Sequence, residues 1–115
     1  MARQVSKGAL AEDERRAAIA RIQPAIGLAD LGGCDLVIEA ATENEEVKRK
    51  IFTAVCPHLR PDAILASNTS SISITRLAAA TDRPERFMGI HFMNPVPLMQ
   101  LVELIRGIAT DDGTF

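Results

Sequence analysis

The chain has 115 residues, 47% of them hydrophobic and 24% charged, with a formal net charge of −2 and four Phe as its only aromatics. That is the balance of one globular domain at most, not of a disordered segment. The acidic balance and the scarcity of aromatics count against nucleic acid as a partner, and no apolar stretch approaches the roughly 20 residues of a membrane-spanning helix.

Arg3 and Lys7 stand one helical turn apart on a face away from Val5, and Gly8 ends that turn. A second helix is expected over Asp13–Ile22, with Ala17, Ala18, Ile19 and Ile22 as its apolar stripe and Pro24 as its stop. Gly32-Gly33 marks a turn. No basic segment precedes an apolar one as a secretory signal would require. Cys34 and Cys56 are too few for a four-ligand metal site, so free thiols in a reducing cytoplasm are the simpler reading, with no metal.

Leu36-Val37-Ile38 reads as a strand buried on both faces. Thr42-x-x-Glu45 reads as a capping box for a helix that places Val47, Ile51, Val55 and Leu59 on one face. Glu45 with Arg49 and Glu46 with Lys50 are supportive pairs along it. His58 and Arg60 suit the negative end of its dipole, and Pro61 closes it. Ala63–Ala66 is a second strand, followed by the polar loop Ser67–Ser71 and a short helix through Ile74, Leu77 and Ala78. Phe87–Phe92 is a third strand, Asn94-Pro95-Val96-Pro97 a rigid turn, and Leu101–Ile105 a last strand.

Alternating strands and helices without internal repeats predict an α/β fold around a mostly parallel sheet. Ligands on such sheets bind beyond the carboxyl ends of the strands. Three polar segments fall there: Ala41-Thr42-Glu43-Asn44, Asn68-Thr69-Ser70, and His91 running into Asn94.

No GxGxxG or phosphate loop occurs in the chain, since Gly32-Gly33 precedes a strand rather than opening a helix. His91 ends an apolar strand, where a structural role is the commoner one. Glu103 stands among Leu101, Val102, Leu104 and Ile105, where a carboxylate costs stability unless it is paired or points to solvent. An imidazole is a natural partner, because a carboxylate on one ring nitrogen fixes the tautomer and leaves the other as a base. Such a pair predicts a direct hydrogen bond of roughly 2.7–3.2 Å. Ser70 and Asn68 can equally be helix caps, and Glu43 and Lys48 surface charges on a first turn.

Three motifs go further: Asp35-Leu36-Val37-Ile38-Glu39-Ala40, Ser67-Asn68-Thr69-Ser70-Ser71, and Gly89-Ile90-His91-Phe92-Met93-Asn94-Pro95-Val96-Pro97 with Glu103 twelve positions after the histidine. Together and in order, they closely resemble the 3-hydroxyacyl-CoA dehydrogenase family, nearest its bacterial 3-hydroxybutyryl-CoA members. The resemblance implies a partial, Rossmann-like doubly wound fold in which residues 1–115 are the later part of the NAD-binding domain. The first βαβ unit with its glycine-rich loop, and the C-terminal helical domain, then lie outside this sequence.

The activity implied is NAD-dependent oxidation of a 3-hydroxyacyl-CoA to the 3-oxoacyl-CoA, as in fatty acid and butanoate metabolism. His91 is matched to the base, Glu103 to its orienting partner, and Ser70 to a hydroxyl touching substrate and nicotinamide. Ala40, Glu43, Lys48, Ser70 and Asn94 are matched to cofactor contacts, and Arg3 and Lys7 to a basic helix facing the CoA phosphates. The resemblance also implies that full-length members of this kind are homo-oligomers. Two readings stay open for the polypeptide by itself: a dehydrogenase by lineage, or a non-catalytic remnant that binds CoA or a partner weakly. Without its glycine loop, the chain alone is expected to be inactive and marginally stable, with an unpaired apolar strand edge.

Overall fold

The computed structural model describes residues 1–115. Two short helices come first, α1 (Ala2–Ser6) and α2 (Glu12–Ala20), with Gly8 between them at φ 68°. That left-handed conformation is one that glycine adopts without a Cβ clash. The Glu14 side chain accepts the Ala11 N–H at 2.9 Å and so caps α2. No residue of α2 is buried, so the expected stripe is not a core face: Ile19 and Ile22 remain exposed. The Gly32-Gly33 turn is the end of a 3₁₀ segment, Leu28–Gly33.

The remaining elements are β1 (Leu36–Glu39), α3 (Glu45–Val55), β2 (Ile64–Ser67), α4 (Ile74–Ala78), β3 (Phe87–Phe92) and β4 (Val102–Arg106). They form one four-stranded sheet in the order β1-β2-β3-β4. The first three strands are parallel and β4 runs antiparallel to β3. The architecture is the mixed, mostly parallel α/β sheet that the alternation of elements predicts.

Several local expectations are corrected. Strand β1 is not buried on both faces: Leu36 and Ile38 are exposed on an edge strand, and only Glu39 at its end is buried. Helix α3 is capped by Asn44, whose Oδ1 accepts the Val47 N–H at 3.1 Å, and not by Thr42. Its buried residues are Lys48, Phe52 and Val55, while Val47 stays exposed. Phe52 decides this rotation. Its ring meets Phe87 edge-on at 5.0 Å, which turns the helix one position from the face drawn through Val47 and Ile51. Glu45 pairs with Arg76 of α4 at 2.8 Å rather than with Arg49, because tertiary packing brings the two helices together. Ser73, not Ser70 or Asn68, caps α4 by accepting the Arg76 N–H at 3.3 Å.

The core comprises Phe52, Val55, Cys56, Leu59, Ala63, Leu65, Ile74, Leu77, Ala78 and Phe87. Burying each large side chain here contributes about 1.5–3 kcal/mol. Gly89 lets α4 ride close to the sheet: a Cβ there would come within 2.8 Å of Ile74 Cδ1 and 3.0 Å of Ile105 Cβ. Cys34 and Cys56 are both free thiols. No helix is long and apolar enough to cross a membrane.

Candidate active site

The parallel strands β1, β2 and β3 end together, and the three polar segments expected at those ends meet there. At the end of β1 the buried Glu39 Oε1 accepts the Ala41 N–H at 2.7 Å, which turns the chain sharply after Ala40. Its Oε2 accepts from Lys48 Nζ at 2.7 Å and from Ser67 Oγ at 2.9 Å. Lys48 is thus held inside the domain, 1% exposed, on a carboxylate nine positions earlier. Of the residues matched to cofactor contacts, it is the one whose charged group faces the interior. Neither the ion pair nor the role of Glu39 is signalled by helical periodicity; only the acidic residue closing an apolar strand hints at it.

Glu43, in the next turn, crosses to the loop after β2. Its Oε1 accepts from Thr69 Oγ1, from the Ser70 and Ser71 N–H groups at 3.1 and 3.2 Å, and from Ser71 Oγ at 3.1 Å. Ser70 Oγ lies at 3.4 Å from the same oxygen. Burial by itself pushes the Glu43 carboxyl up, but these hydrogen bonds outweigh it and bring its pKa down to about 2. The carboxylate is therefore ionised at neutral pH, with Oε2 left to accept from outside. Ser70 and Glu43, expected at one site, are in direct contact.

His91 and Glu103 are paired across β3 and β4 in the sheet register. Side chains directly opposite on antiparallel strands share one face. Here His91 Nδ1 lies 2.8 Å from Glu103 Oε2. A carboxylate only accepts, so Nδ1 carries a proton, and in the neutral imidazole this leaves Nε2 as the acceptor nitrogen. The histidine side chain is 18% exposed and that of Glu103 50%, so the dyad sits at a surface rather than in the core. Asn68 ties this strand to the Ser loop: its Oδ1 accepts the Phe92 N–H at 2.8 Å. Asn94 follows at the start of the proline turn, joined to Pro95 by a cis peptide bond. Arg3 and Lys7 line a groove with Pro95, Pro97 and Leu98, which brings the two cations beside the turn that follows His91.

An acid-paired imidazole, on the same end of the sheet as an ionised carboxylate and a cluster of hydroxyls, has the chemistry to accept a proton from a hydroxyl. Comparison with known proteins identifies the family. Residues 1–115 match the family model described as 3-hydroxyacyl-CoA dehydrogenase, NAD binding domain. The chain belongs to the 3-hydroxyacyl-CoA dehydrogenase family. It is 70% identical over 115 residues to a 3-hydroxybutyryl-CoA dehydrogenase of Bradyrhizobium diazoefficiens, covering 100% of this chain and 39% of that one. It is 47% identical over 107 residues to a fatty acid oxidation complex subunit alpha of Pseudomonas entomophila, covering 93% of this chain and 15% of that protein. Among solved structures, the (S)-3-hydroxybutyryl-CoA dehydrogenase of Ralstonia eutropha superposes with a TM-score of 0.95 at 52% identity, covering 97% of this chain and 40% of the other. The chain thus spans about two fifths of the length of these single-function dehydrogenases. Its fold is that of their Rossmann-like, NAD-binding domain, and the family is one of oxidoreductases.

Proposed function

We propose that this chain carries the base and the nicotinamide end of the cofactor site of an enzyme oxidising a 3-hydroxyacyl-CoA, such as 3-hydroxybutyryl-CoA, to the 3-oxoacyl-CoA. The observation that carries the reading is the 2.8 Å bond from His91 Nδ1 to Glu103 at the carboxyl ends of the parallel strands. In this reading Nε2 of His91 takes the proton of the substrate's 3-hydroxyl, and the Glu103 carboxylate stabilises the imidazolium that forms. The Ser70 hydroxyl orients the reacting oxygen. Arg3 and Lys7 face the phosphates of CoA from beside the proline turn.

The donor set suits NAD. Glu43 spends Oε1 on the Ser loop after β2 and keeps Oε2 as an acceptor of the kind a ribose hydroxyl matches. Ala40, Glu43, Ser70 and Asn94 are the residues that would hold the nicotinamide riboside end. Lys48 serves that site from behind, by neutralising Glu39 under the Ala40–Ala41 turn. When bound, NAD supplies the acceptor for the hydride that leaves the carbinol carbon.

The test is a chimera in which these 115 residues replace the matching segment of the Bradyrhizobium relative. Turnover of 3-hydroxybutyryl-CoA with NAD is expected. His91→Ala should then lower kcat by about 10²–10⁴-fold with little change in KM. Glu103→Gln should also lower kcat, because an amide cannot balance the imidazolium charge. Replacing Arg3 and Lys7 together by Ala should raise KM for the acyl-CoA and leave that for NAD. Near-parental turnover in His91→Ala would refute the reading.

A further inference from the structure

Strand β3 is supported unequally on its two sides where it carries His91. On one side, β4 stays in register with it through Phe92↔Val102. On the other, β2 pairs with it only as far as Ser67↔Gly89. His91 therefore lies two residues beyond the last main-chain rung with β2, in a stretch where β2 has already turned into the Ser loop. A side chain takes over there. Asn68 Oδ1 accepts the Phe92 N–H at 2.8 Å, the bond that the next residues of β2 would otherwise have made.

Asn68 is itself firmly placed. Its N–H donates to the Glu39 carbonyl at 2.8 Å, and its neighbour Ser67 is fully buried and bonded to the Glu39 carboxylate at 2.9 Å. On its other side, Thr69 is tied to Glu43 and accepts the Ile72 N–H at 3.0 Å. The carboxamide thus projects from a segment fixed in front and behind.

We propose that Asn68 is a positioning residue for the His91–Glu103 dyad. Its carboxamide oxygen clamps the main chain just after His91 against the end of β2, so that the imidazole meets Glu103 in one geometry. Nothing in the helix-capping chemistry of α4 uses this side chain, since Ser73 makes that cap. The inference rests on the reading of His91 as the base. The dyad can be followed in this chain by spectroscopy without turnover, so failure of the clamp and failure of the proposed reaction are separate results.

The experiment uses the whole 15N-labelled 115-residue chain and its Asn68→Ala and Asn68→Asp variants. Asn68→Ala removes the acceptor, whereas Asn68→Asp keeps an oxygen of the same reach. In the parent, the Phe92 amide should be protected from hydrogen exchange, and a downfield His91 Nδ1–H resonance should report the bond to Glu103. In Asn68→Ala, the Phe92 amide should exchange about tenfold faster or more, and the Nδ1–H resonance should broaden or vanish. In Asn68→Asp both should return. Parental protection and an unchanged Nδ1–H signal in Asn68→Ala would overturn the proposal. So would failure of Asn68→Asp to restore them. Global loss of signal dispersion in Asn68→Ala would also overturn it, by making Asn68 a determinant of the fold rather than a local clamp.

Discussion

The domain buries two cations, one at each end of its sheet, and they are neutralised in different ways. Lys48, 1% exposed, meets the Glu39 carboxylate at 2.7 Å at the carboxyl ends of the strands. Arg83, 5% exposed, lies at the opposite end. Its guanidinium donates to the carbonyls of Arg60, Ala63 and Cys56, and its charge is balanced by Asp82, whose side chain is 58% exposed. At the Arg83 end the polar groups are turned on one another. At the Lys48 end the interior is equally saturated, but the layer above it leaves two polar atoms without an internal partner, Glu43 Oε2 and His91 Nε2, the atoms the proposed site would use. The closed ion pair is a floor on which an open site is built.

Removing each cation tests the contrast. Lys48→Met leaves a buried carboxylate with only the Ala41 N–H and the Ser67 hydroxyl, and should cost about 3–5 kcal/mol of folding stability. Arg83→Met should cost less, about 1–3 kcal/mol. Two of its carbonyls keep another donor, Leu59 N–H on Cys56 and Ala63 N–H on Arg60, and Asp82 remains in water. Urea denaturation of both variants checks the order. Adding Glu39→Gln to Lys48→Met should recover much of the loss, whereas equal costs for the two single variants would erase the distinction between the ends.

The open layer has a pH signature. Glu43 is depressed from 4.5 to about 2 in the folded chain. A depressed carboxylate stabilises the fold above its unfolded value, and that contribution is lost as pH falls from about 4.5 through about 2. Because Glu43 is largely exposed, solvent screening reduces the effect to about 1 kcal/mol. Asp62, Asp82 and Asp111 are also lowered, by an Arg60 hydrogen bond, an Arg83 hydrogen bond and the Thr114 N–H respectively, so the parent must lose stability in acid for several reasons. The informative quantity is the difference from Glu43→Gln. That difference should be present at pH 6 and shrink as pH falls towards about 2, as measured by thermal melts across the range.

The four strands and a possible His91–Glu103 pair could be read in the sequence, but not that β4 is largely exposed, which leaves Glu103 half in solvent while it pairs. What could not be read was set by contacts distant along the chain. Whether Lys48 is a surface charge or a buried one depends on a glutamate that helical spacing does not connect to it. The rotation of α3 was decided by Phe52 against Phe87, which have no sequence relation. The Ser loop offered Ser70 and Asn68 as capping side chains, and only the path of the chain shows that Ser73 caps while Asn68 reaches across to β3. The exposure of Leu36 and Ile38 reflects what neighbours β1, a matter on which an apolar run is silent.

That exposed edge supplies the smallest expected effect on folding and a control on the largest. Strand β1 pairs on one side only, with Ile38 39% and Leu36 45% exposed. An apolar unpaired edge is a template for pairing with another chain, and a lysine on it discourages that. Ile38→Lys should change folding stability by about 0.5 kcal/mol or less. It should also abolish any growth of sedimentation coefficient with protein concentration seen in the parent. Ile38 precedes Glu39, and side chains alternate along a strand, so the new charge projects away from the buried carboxylate. The cost of Lys48→Met measured in the Ile38→Lys background should therefore equal its cost in the parent to within about 0.5 kcal/mol. A much smaller cost in that background would mean that association through β1 keeps water from the ion pair. The contrast between the two ends of the sheet would then belong to an assembly rather than to the single chain.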